Sequence, residues 1–352
     1  MATRVRSYSK INLGLSIGPV RGDGCHELVT LYQTLELHDV VSVAARAAAK
    51  TRILLQSNDS RVPTDGRNTA YKMVERALGR LGLSAEVEIH IQKNLPIQGG
   101  MGAGSANAAA ALIGLERELG VVCPDRLEIA AEVGSDVPLF LVGGAVLGTN
   151  RGEVVQAVED RDFGGVACVI ALPRVGVSTP QAFRDWDARY SDPALRNEPV
   201  RDTLDELSRI YASVFASRGD QNVVSGTSGI VPDPKSPEQY QSESGTLDGL
   251  AENSLLALVR TGIENDFEQV VFLQYPSLRA IKRQLMGSET DEPAVYAALS
   301  GSGSALFGLY RSEADAQAAQ RRVQTADFGV PVQVLHTRTL PREAYWRGMI
   351  AE

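Results

Sequence analysis

The sequence predicts a two-domain α+β protein. At 352 residues the chain exceeds what one hydrophobic core usually serves. Segments with strand alternation and segments with a helical stripe occur in both of its halves. A stretch rich in Ser, Gly, Asp, Gln and Pro, roughly 217–248, interrupts the second half and reads as a flexible insertion or long loop. The expected division is 1–165 and 166–352, with the insertion in the second domain.

The elements follow in order. VRSYSKINLGLSIG (5–18) and LVTLYQTLEL (28–37) read as strands, joined by the turn chemistry of PVRGDGCHEL. VVSVAA and TRILLQS read as the strands of a further hairpin. After Asn68, TAYKMVERALGRLG carries apolar or aromatic residues at 71, 74, 77, 78 and 81, a helical stripe closed by Gly82. AEVEIHIQKNLP alternates as a strand. A helix begins near Ser105 and is closed by Gly120. The next, DRLEIAAEVG, has Asp125 at its start and Glu128 three residues on, a variant capping box. PLFLVGGAVLGT reads as a strand. Helical patterns cover 249–261 and 263–286. AVYAALSGSGSALFGLY gives strand, glycine turn, strand, and a helix (313–326) and a strand (330–340) complete the order.

Composition narrows the functions. Apolar residues at 43% and charged residues at 22% are ordinary for a globular protein, and a net charge of −8 argues against a nucleic-acid-coating role. Cys25, Cys123 and Cys168 form no C-x-x-C pair, and the four histidines have no partner at metal-ligand spacing, so a reduced cytoplasmic protein without a structural metal is expected. No stretch is long and apolar enough to span a bilayer, and no membrane partner is expected.

The densest chemical signal is LPIQGGMGAGSANAAAALIGL (95–115), glycines immediately before an alanine-rich helix. Such a loop lets several N–H groups converge on one anion, assisted by the helix dipole. A tight turn that lets strand and helix pack closely would use the same residues. It is not a Walker A loop, because no Gly-Lys-Ser/Thr follows, and it lacks the G-x-G-x-x-G spacing of a dinucleotide fingerprint. Asp136 stands in a loop before Pro138, which favours an extended Val137. On the residues alone the blander readings are favoured: Asp136 as a loop or capping aspartate, Lys10 as a strand-face or edge lysine, and His26 as a turn histidine.

Pro96-x-x-x-Gly100-Met-Gly102-Ala103-Gly104-Ser105, between a strand and a helix, resembles the ATP loop of the GHMP kinases. SYSKINLGL (7–15) and SGSGSALFGLY (300–310) are similar to two further motifs of that superfamily, in the right order. Within it, DGCHEL, GSDVPLFLVGGAVLGTNRGE and NDFEQVVFLQYPSLRAIK resemble the 4-diphosphocytidyl-2-C-methyl-D-erythritol kinases. The resemblance covers the chain apart from the polar insertion.

That resemblance implies an N-terminal domain of the ribosomal-protein-S5-domain-2-like kind, a ferredoxin-like C-terminal domain and an active site between them. It implies ATP bound at 96–107 through Pro96, Gly99, Gly100, Gly102, Ala103, Gly104 and Ser105, with Asn68 on the nucleotide side. Mg²⁺ would meet the Ser105 hydroxyl. Asp136, in the loop 134–138, would be the base and Lys10 the cation beside it. The substrate, carrying a cytidine diphosphate group, would meet Asn12, Cys25, His26 and Phe183, and the protein would be a monomer or homodimer. Two positions depart from the pattern: Cys25 stands where the family has an aromatic residue that stacks on cytosine, and Ala106 where it has Ser or Thr. Another GHMP small-molecule kinase, or a non-catalytic binding protein of the same fold, is the alternative.

Overall fold

The computed structural model describes residues 2–97, 99–160, 165–190 and 263–351. The expected insertion at 217–248 and the helix expected at 249–261 lie outside them.

The first sheet is built on two long antiparallel strands, β1 (Thr3–Val20) and β2 (His26–Ala47). Their register slips between Tyr8 and Lys10 and again between Asn12 and Gly14. Such irregularities re-aim side chains locally, and here they bracket Lys10 and Asn12. The two strands expected at 28–37 and 40–45 are one continuous strand, β2. The hairpin expected of VVSVAA and TRILLQS does not form. β4 (Ala85–Gln92) pairs antiparallel with β2, and β3 (Arg52–Ser57) lies outside it, parallel to β4. Helix α1 (Thr69–Leu81) provides the crossover that two parallel strands require.

Helix α2 (Ala103–Leu119) lays its alanines on this sheet, where small side chains permit close approach. It starts two residues before the expected Ser105. In α3 (Arg126–Val133) the expected cap fails: Asp125 adopts φ 57° and makes no side-chain cap bond, because its carboxylate accepts from Arg80 at 3.0 Å. The strand expected at PLFL is a one-turn 3-10 helix, Pro138–Leu141, whose Leu139 and Phe140 are buried. Only after Gly143 and Gly144, both at positive φ, does the chain enter β5 (Ala145–Thr149), which pairs with β2 and with β6 (Val154–Ala157).

The second sheet is antiparallel, in the order β10 (Val332–Arg338), β7 (Ala167–Pro173), β9 (Leu306–Tyr310), β8 (Tyr296–Leu299). By chain order that is 4-1-3-2, the ferredoxin-like arrangement expected from the resemblance. Its helices are α4 (Thr179–Tyr190), α5 (Glu268–Gln274), α6 (Pro276–Met286) and α7 (Glu313–Thr325). The single helical pattern expected at 263–286 divides at Pro276, whose missing N–H cannot continue α5. The chain end returns to the first sheet. Tyr345, in α8 (Arg342–Gly348), packs with Tyr8 and donates to Phe140 O, and β11 (Ile350–Ala351) pairs with β1.

Candidate active site

The glycine loop is held at both ends. At its entry the buried Asp39 accepts from the Asn94 and Leu95 N–H groups at 2.7 and 2.8 Å, and its second oxygen pairs with buried Lys93. This fixes the strand end leading to Pro96. Farther on, Gly100 adopts φ 79° and a Cβ there would lie 2.3 Å from Ser300 O. The two glycine turns therefore touch backbone to backbone. Ser300 Oγ donates to Gly100 O at 2.9 Å, Ala305 N to Gly99 O at 3.1 Å, and Lys10 N to Met101 O at 3.0 Å. Gly102, at φ 70°, precedes the first turn of α2, which holds Ala103, Gly104 and Ser105. The first N–H groups of a helix have no intrahelical acceptor, so this end of α2 presents a cradle of N–H groups of the kind an anion needs.

Next to the cradle, Lys10 Nζ lies 3.2 Å from Asp136 Oδ2 and donates to Asn12 Oδ1 at 2.6 Å. The lysine side chain is only 3% exposed, whereas that of Asp136 is 34% exposed. Asn12 passes the network on through Nδ2 to Thr30 Oγ1 at 2.8 Å, and Thr30 donates to Gly14 O. Tyr32 completes the group. Its hydroxyl donates to Asp136 Oδ1 at 3.1 Å, and Lys10 Nζ lies 5.3 Å from its ring centroid. Burial and the Asp136 charge raise the Tyr32 pKa well above its usual value, so it remains a donor. Asp136 thus receives one polar partner on each oxygen.

At the other end of β1, His26 opens β2. Its Nδ1 meets Gly18 O at 2.8 Å and its Nε2 meets Asp187 Oδ1 at 3.0 Å. Phe183 stacks on the imidazole, 5.0 Å between centroids and 7° between planes. Cys25, immediately before, donates its N–H to Asp23 Oδ1 within the turn. Asn68 caps α1: its Oδ1 accepts from Ala70 N at 2.8 Å and its Nδ2 donates to Pro63 O at 2.7 Å. Both of its polar groups are used by the protein. Thr69, the next residue, donates to Gly104 O at 2.6 Å and ties α1 to the glycine loop. Ala106 is buried in the core of the first domain, where a hydroxyl would need a partner.

The structure therefore brings Lys10, Asn12 and Asp136 together beside Gly100, Gly102 and the first turn of α2, and sets His26 and Phe183 against each other at the far end of β1. Sequence reasoning missed Tyr32, Thr30, Ser300 and Asp187. Tyrosine and threonine in an apolar strand look like core residues, and nothing local marks Tyr32 as facing Asp136, which lies 104 positions away. Ser300, in the SGSGSALFGLY stretch, reads from sequence as a turn serine with no role of its own.

Residues 68–144 match the GHMP kinases N terminal domain and residues 247–328 the GHMP kinases C terminal domain. A 4-diphosphocytidyl-2-C-methyl-D-erythritol kinase of Nocardioides sp. is 34% identical over 71% of this chain and 85% of its own length. That of Solibacter usitatus is 31% identical over 99% and 93%. The chain belongs to the 4-diphosphocytidyl-2-C-methyl-D-erythritol kinase family. A crystal structure of 4-(cytidine 5'-diphospho)-2C-methyl-D-erythritol kinase shares the kinase fold at a TM-score of 0.61 and 23% identity, covering 95% of this chain and 99% of that one. Homoserine kinase from Cytophaga hutchinsonii shares it at 0.66 and 17%, covering 96% and 95%. Similar folds thus serve different acceptors, and for this kinase the acceptor must be argued from sequence kinship and from the site.

Proposed function

We propose that the kinase transfers the γ-phosphoryl group of ATP to the C2 hydroxyl of 4-diphosphocytidyl-2-C-methyl-D-erythritol, giving the 2-phosphate and ADP on the non-mevalonate route to isoprenoid precursors. The observation that carries this is the Lys10–Asp136 pair at the foot of the glycine cradle, in a chain of that family.

The cradle takes the triphosphate on the N–H groups around Gly100, Gly102 and the first turn of α2. Asp136 accepts the proton of the C2 hydroxyl as that oxygen bonds to the γ-phosphorus. The bond from phosphorus to the β–γ bridging oxygen breaks, and ADP leaves. Lys10 pairs with Asp136 and stabilises the negative charge growing on the acceptor oxygen. Tyr32 and Asn12 hold these two side chains in register.

Magnesium fits this donor set. Asp136 is engaged by Lys10 and Tyr32, and among the described residues no group of three or more His, Cys, Asp or Glu side chains is placed to hold a metal. The ion would be held by triphosphate oxygens, water and the Ser105 hydroxyl, as magnesium at nucleotide sites commonly is. When bound it neutralises charge on the β- and γ-phosphates. Three unpaired cysteines support a cytoplasmic location.

The test is ADP formation by purified protein with ATP, Mg²⁺ and a panel of acceptors: the cytidylyl substrate, mevalonate, homoserine and galactose. Turnover with the cytidylyl compound alone is expected. Turnover with another acceptor in its place overturns the substrate assignment.

A further inference from the structure

The chain leaves Asp136 through a single turn of 3-10 helix, Pro138–Leu141, and then the Gly143–Gly144 pair. One turn of 3-10 helix has little stability of its own. Its N–H groups are served locally: Phe140 N donates to Val137 O, and Val142 N and Gly143 N both donate to Leu139 O. Its last carbonyls have no following turn to serve them, and a buried carbonyl needs a donor.

Helix α8 supplies those donors. Arg342, Tyr345 and Trp346 stand at i, i+3 and i+4, so their side chains share one face of the helix. Tyr345 donates from its hydroxyl to Phe140 O at 2.6 Å, and Trp346 from Nε1 to Val142 O at 2.9 Å. Arg342 donates from Nε to Gly143 O at 3.1 Å and from Nη2 to Ala145 O at 2.6 Å. The start of α8 is itself fixed, because one oxygen of Asp160 accepts from both Arg342 N and Ala145 N. The seat is close: a Cβ on Gly143 would lie 2.3 Å from Tyr345 Cδ1.

Tyr345 also reaches the strand of Lys10. Its ring packs on Tyr8, 5.1 Å between centroids, and Tyr8 lies on β1 two residues before Lys10. One side chain thus spans from the strand that carries the lysine to the segment that follows the aspartate. Burial raises the Tyr345 pKa far above its ordinary value, so its hydroxyl remains a donor. Groups held in place by such neighbours leave less ordering for the transition state.

We infer that Tyr345, with Trp346 and Arg342, is a positioning residue for phosphoryl transfer: it holds the segment bearing Asp136 against the strand bearing Lys10. The inference rests on Asp136 being the base. It gives α8, which follows the second sheet in the chain, a part in the site of the first.

The experiment is a double-mutant cycle in kcat, with Tyr345→Phe and Trp346→Phe each made in wild type and in Asp136→Asn. Both substitutions delete one donor and leave an aromatic ring in place. Both KM values and the melting temperature are measured on the same samples, with the acceptor that wild type turns over. In the wild-type background each should lower kcat about 3- to 10-fold, the scale of one hydrogen bond, with both KM values within about 2-fold. In Asp136→Asn each should change kcat by less than about 2-fold, because no base remains to be placed. A helix that only stabilises the fold would give the same fold-loss in both backgrounds, and that result overturns the inference. So does wild-type kcat in both single variants. Should Tyr345→Phe fail to fold, Trp346→Phe carries the same comparison. An Asp136→Asn enzyme with undiminished kcat overturns the base assignment itself, and the inference with it.

Discussion

Tyr32 and Lys10 divide the two oxygens of Asp136 between them: the phenol donates to Oδ1 at 3.1 Å, and the ammonium lies 3.2 Å from Oδ2. An acceptor hydroxyl must approach a carboxylate whose rotation is already restricted on both sides. Such prior orientation lowers the barrier because less ordering remains for the transition state.

Tyr32→Phe removes one of those restraints and keeps the ring that Gly148 packs against. We expect kcat to fall roughly 10-fold, the scale of one hydrogen bond to a charged group, with the melting temperature little changed. Burial and the Asp136 charge both hold Tyr32 protonated, so the alkaline limb of the wild-type pH profile should survive in the variant. Disappearance of that limb in Tyr32→Phe would assign the titration to the phenol and contradict this role.

Gly102 links the glycine loop to Lys10, the lysine proposed to assist the base. Its φ is 70°, and a Cβ there would lie 2.8 Å from Phe140 Cζ and 3.1 Å from Lys10 Cγ. Gly102→Ala should therefore damage both ends of the reaction, raising the KM for ATP by about 10-fold or more and lowering kcat as Lys10 is displaced. Left-handed strain on a non-glycine residue adds ~1 kcal/mol or more of instability, to be read from a denaturant melt. Wild-type kinetics in this variant would show that the loop tolerates a side chain.

Cys25 precedes His26 in a turn whose backbone is fixed by Asp23. A sulfur covers less of a pyrimidine than an aromatic ring, and stacking contributes roughly 1–3 kcal/mol per base in single-strand binders. Cys25→Tyr should lower the KM for the cytidylyl substrate by about 10-fold without changing the KM for ATP. Equal or weaker substrate binding contradicts the stacking account.

These cases also show what the sequence could and could not reveal. The glycine loop was legible from its residues, whereas Lys10, Asn12 and Asp136 were reached only through the resemblance, because on the residues alone Lys10 reads as a strand-face lysine and Asp136 as a capping aspartate. The core of α1 was legible from its 3.6-residue stripe. The pairing of β3 with β4 was not, because alternation marks a strand but says nothing of its neighbour. Nor was the single turn at PLFL, whose apolar run suits a strand as well as a buried 3-10 helix. Tyr32 and Asp187 could not be found at all: each meets a partner more than a hundred positions away, brought near only by the fold.

Asp266 supplies a pH signature away from the chemistry. Its Oδ2 accepts from Ile17 N at 2.8 Å, yet burial, with a smaller contribution from Glu264, raises its pKa to about 6. The folded protein therefore binds the proton more tightly than the unfolded chain, whose aspartate titrates near the ordinary value. Stability from this group is fully present at low pH and is lost as pH rises from about 4 through about 6, by at most about 3 kcal/mol. Asp266→Asn keeps an acceptor for Ile17 N and removes the titration. Relative to wild type, it should gain stability between urea melts at pH 4.5 and pH 7.5. A constant difference between the two proteins at both pH values contradicts the assignment.

The central claim is that Asp136, held by Lys10 and Tyr32, is the base. Its most direct test is the turnover of 4-diphosphocytidyl-2-C-methyl-D-erythritol by Asp136→Asn beside wild type, with ATP affinity measured on the same samples. The account predicts a loss in kcat of ~10²–10⁴, or roughly 3–5 kcal/mol, with ATP binding within a few-fold of wild type. A variant that keeps wild-type kcat would contradict it and move the proton transfer to another group.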